Sequence, residues 1–303
     1  MEFLNIFQYI INLNLTLLIP YSLAFIVMLI SSITDLKTRE VPDWINLGLI
    51  GAGIAINLLF SIIYWNLGYI INSLIGFAAL FIIALIMFYT GQWGGGDSKM
   101  LMGLGALIGI NIFQLTLNTF LLAFLINILL IGALYGMLWS FYLIYKNRKK
   151  FVLNFKKINK SKKVNYSKKI ILVLFFVFIL LAIIVQETYL RLIFLYVSVI
   201  IVITFYLWAA IKSVENSCML KYVTPDKLTE GDWIAKEVKV NGKYITGPKD
   251  LGIEKKQIRK LVSLYKKKKV KKILIKEGIP FVPSFFIAYL VTLMFGNLLL
   301  LFV

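Results

Sequence analysis

Residues 80–109 read LFIIALIMFYTGQWGGGDSKMLMGLGALIG. Two apolar runs meet at a break that holds three consecutive glycines, at 94–96, and one carboxylate, Asp97. The runs predict membrane spans at 67–90 and 98–113, with a pliant loop between them. An ionisable side chain at a span boundary is costly and usually functional. A carboxylate just ahead of a helix can equally serve as an N-terminal cap.

The rest of the chain places that break in a membrane. The protein has 303 residues, 60% of them hydrophobic, where soluble domains average about 45–50%. Six further apolar runs, at 14–34, 44–64, 115–145, 170–186, 189–211 and 279–303, bring the expected count to about eight spans, each needing about 20 residues to cross as helix. The expected fold is a polytopic α-helical membrane protein with a small α+β cytoplasmic domain ahead of the last helix. The first basic residue is Lys37, so the charged start of a cleavable secretory signal is not expected. Histidine is absent and Cys218 is the single cysteine. That removes histidine-based triads, thiolate metal clusters and internal disulfides. Acid–base chemistry falls to carboxylates, lysine or tyrosine, and no metal or other cofactor is expected.

The basic residues set the orientation. If the eight spans alternate, every one of the 33 Lys+Arg except Arg191 falls on one side, in loops at 35–43, 91–99, 146–169 and 212–277. The positive-inside rule makes that side cytoplasmic and puts both termini outside. The net charge of +19 is then explained by loops that meet anionic lipid. The run KNRKKFVLNFKKINKSKK at 146–163 reads as a solvated, lipid-facing linker, since it lacks the aromatic interleaving of a nucleic-acid surface.

Composition changes again at 213–277. The dipeptide Asn241-Gly242 between AKEVKV and KYIT is a hairpin signal. Ile253, Ile258, Leu261, Val262 and Tyr265 recur at helical spacing, and VKKILIKE reads as a strand. The organisation is thus a membrane core of about five helices at 1–145, a basic linker at 146–169, two further membrane helices at 170–212, the small domain at 213–277 and a last membrane helix at 278–303.

Few acidic groups lie at the cytoplasmic span edges. Asp35 ends the first span in LISSITDLKTREVPDWIN, and Asp97 begins the fourth. The topology brings both to one bilayer face. Two carboxylates in contact in a poorly solvated site share a proton. The ionised one can take a proton from water while the protonated one polarises a peptide carbonyl, which is aspartic-protease chemistry. Gly94, Gly95 and Gly96 would let an extended substrate backbone come close. Gly103, Gly105 and Gly109 suit tight packing of the fourth helix on a neighbour. Against these stand simpler roles. Asp97 alternatively reads as the cap of the fourth span. Asp35, at a helix C-terminus, caps nothing and is otherwise a solvated boundary residue. Asp43, after Pro42, reads as the N-cap of the second span. Glu40 reads as a loop residue that helps offset the basic surface, and Lys99 as a neighbour that tunes Asp97 or marks the inside.

The two segments SITDLKTREVPDWIN (32–46) and GGGDSKMLMGLGALIG (94–109) together resemble the type IV prepilin peptidase and preflagellin peptidase family of GxGD-type aspartic membrane proteases. Asp35 followed by Val41-Pro42-Asp43 matches that family's first catalytic context, and Gly94, Gly96 and Asp97 match GxGD. EGIPFVPSFFIAYL, entering the last span, is similar to archaeal members. The resemblance implies removal of short basic leader peptides from pilin-like or archaellin precursors at the cytoplasmic face, with Asp35 and Asp97 catalytic. The family's bacterial members carry a four-cysteine zinc-binding region and often methylate the new terminus. The single cysteine here implies an archaeal-type protease without methylation, and the extra spans at 170–211 exceed the family's six-span pattern. Presenilin-like proteases also use GxGD, but pair it with Tyr-Asp and Pro-Ala-Leu, neither of which occurs. A transporter using the same two aspartates as a proton or cation relay, and a membrane-anchored scaffold working through 213–277, are the readings from other classes.

Overall fold

The computed structural model describes residues 15–240 and 242–301. Asn241, half of the hairpin signal, and the extreme ends of the first and last apolar runs lie outside the described residues. Among the described residues two compact units are formed, one from residues 15–137 and 278–301, the other from Leu138–Glu277.

The first unit is a helical bundle. It contains α1 (Leu15–Thr38), α2 (Asp43–Ile63), α3 (Gly68–Tyr89), α4 (Gly95–Ile108), the first part of α5 (Phe120–Lys146), and, from the far end of the chain, α10 (Val282–Phe295). Its core is continuous through Met28, Leu49, Leu80, Met100, Leu104, Phe124, Phe285 and Tyr289, all essentially without solvent exposure. Glycines decide how close the helices come. Gly105 of α4 faces Gly76 of α3, and a β-carbon on either would collide with the other's carbonyl oxygen. A β-carbon on Gly53 of α2 would lie 2.6 Å from the amide nitrogen of Leu107. In a bilayer, where lipid is as apolar as leucine, such backbone contact supplies packing that hydrophobicity alone does not. Polar side chains reinforce it. Asn127 on α5 donates to Thr292 Oγ1 and to the Gly296 carbonyl at 2.9 and 2.7 Å, and accepts from Leu298 N–H at 3.1 Å, which ties down the C-terminal end of α10.

Among the described residues, six helices are long and apolar enough to cross a membrane: α1, α2, α3, α5, and in the second unit α7 (Lys162–Ile184) and α8 (Thr188–Ser217). The protein is therefore a multi-pass membrane protein. The expected count of eight is not reached on length. Helices α4 and α10 have 14 residues each, about 21 Å at 1.5 Å per residue, against a hydrocarbon core of about 30 Å. Apolar composition marks both as membrane-seeking, but helix ends are set by caps and turns. Gly94 starts α4, and Gly109, at φ 72°, stops it.

In the second unit, residues 148–160 of the basic segment are helical, as α6 (Arg148–Lys160). Phe151, Phe155 and Ile158 recur at helical spacing, the two rings stack at 5.5 Å, and Ser213 of α8 donates to the Phe151 carbonyl at 3.1 Å. The lysines occupy the opposite face, as in any amphipathic surface helix. After α8 come β1 (Leu220–Val223), β2 (Trp233–Ile234), the β3–β4 hairpin (Val238–Val240 and Lys243–Thr246), α9 (Lys255–Lys266) and β5 (Ile273–Lys276). Strand β5 lies between β1 and β2, antiparallel to both. Leu228, Ile234, Ile245, Ile253, Leu261, Ile273 and Ile275 form a separate small core. The buried face of α9 centres on Leu261 with Ile258 and Leu264 beside it, while Tyr265 stays exposed.

Candidate active site

Asp35 does not sit at the end of its helix. Helix α1 runs on to Thr38, and Asp35, one turn earlier, is buried at 5% exposure. Its carboxylate reaches across to α10, where Oδ2 accepts from the Val282 N–H at 3.0 Å. The expectation that Asp35 caps nothing is thus overturned. It caps another helix, because tertiary folding brings an N-terminus 247 residues away in sequence onto it and the positive end of that helix favours a carboxylate. Arg39, in the left-handed region at φ 62°, turns the chain sharply after α1 and donates to the Gly278 carbonyl.

Asp97 is half-buried at position N3 of α4, and its Oδ2 accepts from the Gly94 N–H at 3.1 Å. The capping role is real, and it uses one carboxylate oxygen. Helices α1 and α4, which carry the two motif aspartates, pack against each other, close enough for the charge of Asp35 to act on Asp97. The glycines behave differently from a pliant loop. Gly94 is the N-cap, while Gly95 and Gly96 already belong to α4. None of the three has a positive φ. Gly96 packs beside Val41, and its carbonyl accepts from Asn46 Nδ2 at 3.3 Å. The VPDWIN segment therefore braces the GGGD segment.

The supporting residues also move. Asp43 is the first residue of α2, not its cap. Pro42 occupies the cap position, and a proline there leaves the helix without a side-chain acceptor. Asp43 instead pairs with Lys99 at 2.6 Å, both side chains partly exposed, which joins the starts of α2 and α4. Lys99 is accordingly engaged with Asp43, not placed as a direct partner of Asp97. Glu40 is exposed in the turn between α1 and α2.

Three participants escaped the sequence reading. The Val282 amide carries no side-chain signal. Asn46, fully buried with its Oδ1 unpartnered, could have been noticed as a lone amide inside an apolar run. Tyr135 of α5 lies within electrostatic range of Asp35, and its ring meets Phe281 edge-on at 6.5 Å.

Residues 22–145, which contain both aspartates, match the model of the Type IV leader peptidase family. The chain is similar to the preflagellin peptidases of Methanocaldococcus jannaschii and Methanococcus voltae, each 41% identical over 91 residues, and of Methanococcus maripaludis, 38% identical over 91 residues. Each match covers 30% of this chain and 38–39% of the relative, so the chain spans less than two fifths of the length of the relatives it matches. No solved structure matches it. Over residues 22–145, less than half of its length but the part that holds Asp35 and Asp97, this chain is similar to the type IV leader peptidase family.

Proposed function

We propose that the protein is an aspartic endopeptidase that removes short basic leader peptides from archaellin or type IV pilin-like precursors at the cytoplasmic face of the cell membrane. The observation that carries the reading is the approach of Asp35 and Asp97, from two separate motifs, within the segment shared with the preflagellin peptidases. In the mechanism one carboxylate is ionised and takes a proton from water. The resulting oxygen attacks the scissile carbonyl carbon, and the protonated carboxyl donates to the carbonyl oxygen. Collapse of the tetrahedral diol breaks the C–N bond, and the proton goes to the departing amine. The dyad titrates as a pair, so activity is bell-shaped in pH, and it needs no metal or other cofactor. The transporter reading is not favoured, because the named relatives are peptidases.

The finer topology belongs to the same proposal. With their flanking residues, α4 and α10 complete eight crossings, both termini lie outside, and the basic segments at 146–169 and 213–277 face the cytoplasm and anionic lipid, with no nucleic-acid partner. The catalytic core is 1–145 together with the last helix.

The glycines give one test. An added β-carbon at Gly96 meets nothing closer than Val41 at 3.7 Å, and alanine favours a helix over glycine by about 0.5–1 kcal/mol. Gly96→Ala should therefore hold or raise the unfolding temperature. If a substrate backbone must pass over this surface, the same change lowers kcat/KM about tenfold, as a misplacement of the reacting bond does. Wild-type cleavage by this variant would remove the substrate-approach role.

Charge gives another. Glu40 is exposed in the turn between α1 and α2, where its charge adds negative potential for a basic leader. Glu40→Lys should raise KM several-fold at low salt, with kcat little changed and the difference shrinking as ionic strength rises. An unchanged KM at low salt would exclude Glu40 from leader recognition.

A further inference from the structure

The sequence PFVPSF at 280–285 starts α10, with Phe281 as N-cap, Val282 as first residue and Pro283 next. A helix start normally presents four amide N–H groups without helical partners. Here the prolines thin them out. Pro280 and Pro283 have no N–H to give. The Ser284 N–H turns back to the Phe281 carbonyl at 2.9 Å. That leaves the amides of Phe281 and Val282. The Val282 N–H donates to Asp35 Oδ2 at 3.0 Å, and the Phe281 amide lies beside the same carboxylate.

The frame that carries these two amides is held on three sides. Arg39 bonds to the Gly278 carbonyl just upstream. The Phe281 ring rests on Gly132 of α5, where a β-carbon would come within 2.7 Å of it, and Tyr135 flanks it. Phe285 packs edge-on against Trp93 at 5.2 Å, and Trp93 adjoins Gly94, whose amide holds Asp97. One short segment is thus in contact with both motif regions. An exposed boundary carboxylate would need none of this.

We propose that residues 280–283 are a positioning device for the dyad: the proline spacing leaves two backbone amides that orient Asp35 and hold its charge against Asp97. The proposal rests on the peptidase reading. Amides that donate to a carboxylate favour its ionised form, so losing one makes ionisation of the dyad require a higher pH.

The test replaces Val282 in the full-length protein by its α-hydroxy acid, which swaps the amide N–H for an oxygen and keeps the side chain. Cleavage of an archaellin-type precursor in liposomes is followed against pH. The expected result is a drop of about tenfold in kcat with KM within twofold of wild type, and a shift of the acid limb of the kcat profile to higher pH. The corresponding ester at Phe281 should act in the same direction. An unmoved acid limb in both esters overturns the proposal, whether or not kcat falls. If the Val282 ester accumulates poorly, the Phe281 ester decides by the same limb. Asp35→Asn runs alongside. Should that variant still cleave, the peptidase reading itself fails, whereas loss of cleavage there with unmoved esters removes only the positioning role.

Discussion

Asp35→Asn and Asp97→Asn should each reduce precursor cleavage about 10⁴-fold while leaving the protein folded. The magnitude is that of removing a positioned general acid or base. The retention of fold follows from the geometry. Asparagine keeps a carbonyl oxygen in the place of the carboxylate oxygen, so it can still accept from Gly94 N–H at residue 97 and from Val282 N–H at residue 35. Only the proton cycle is lost. The two changes should also be non-additive, because a dyad missing one member is already broken. The double variant should cleave no more slowly than either single one. Cleavage of an archaellin-type and a pilin-type precursor in membranes, with unfolding temperatures measured in parallel, checks all three statements. An Asp97→Asn protein that cuts at the wild-type rate would reduce the GGGD segment to the helix cap that it also is.

The second large effect is structural. Gly105→Leu should abolish the folded bundle, or lower its stability by more than about 3 kcal/mol, the upper range for overpacking. At this position even a β-carbon collides with the Gly76 carbonyl, and backbone cannot rotate aside as a side chain does. Gly76→Leu should match it, since the contact is reciprocal. Gly48→Leu, one helix away in α2 and with nothing within 4 Å of its β-carbon, is the control that should be tolerated. Thermal unfolding in detergent, read with aggregation, distinguishes them. A Gly105→Leu protein as stable as the Gly48 control would mean that α3 and α4 do not pack through these glycines.

Much of the site was legible in the chain itself. Asp35 and Asp97 stood out because carboxylates are rare at span edges. The motifs around them, SITDLKTREVPDWIN and GGGDSKM, lie within the segment that matches the family. What stayed illegible was mostly long-range. That Asp35 caps a helix far along the chain could not be seen from α1, because the amide it accepts from lies 247 residues away in sequence. That Asp43 pairs with Lys99 needed the starts of α2 and α4 to be side by side. The basic run 148–160 carried a helical stripe in Phe151, Phe155 and Ile158, but its lysines dominated the reading.

The sequence by itself determined the class of molecule, a multi-pass membrane protein, and singled out two carboxylates at span edges. These depend on composition and local pattern, on how many apolar residues run together and which ionisable groups exist at all. The tertiary structure alone decided what those side chains touch. Backbone amides carry no letter in the sequence, so the Val282 N–H on Asp35 and the Gly94 N–H on Asp97 emerge only when helices meet. Whether α4 and α10 are long enough to cross was likewise a matter of where caps and glycines stop them, not of how apolar they are.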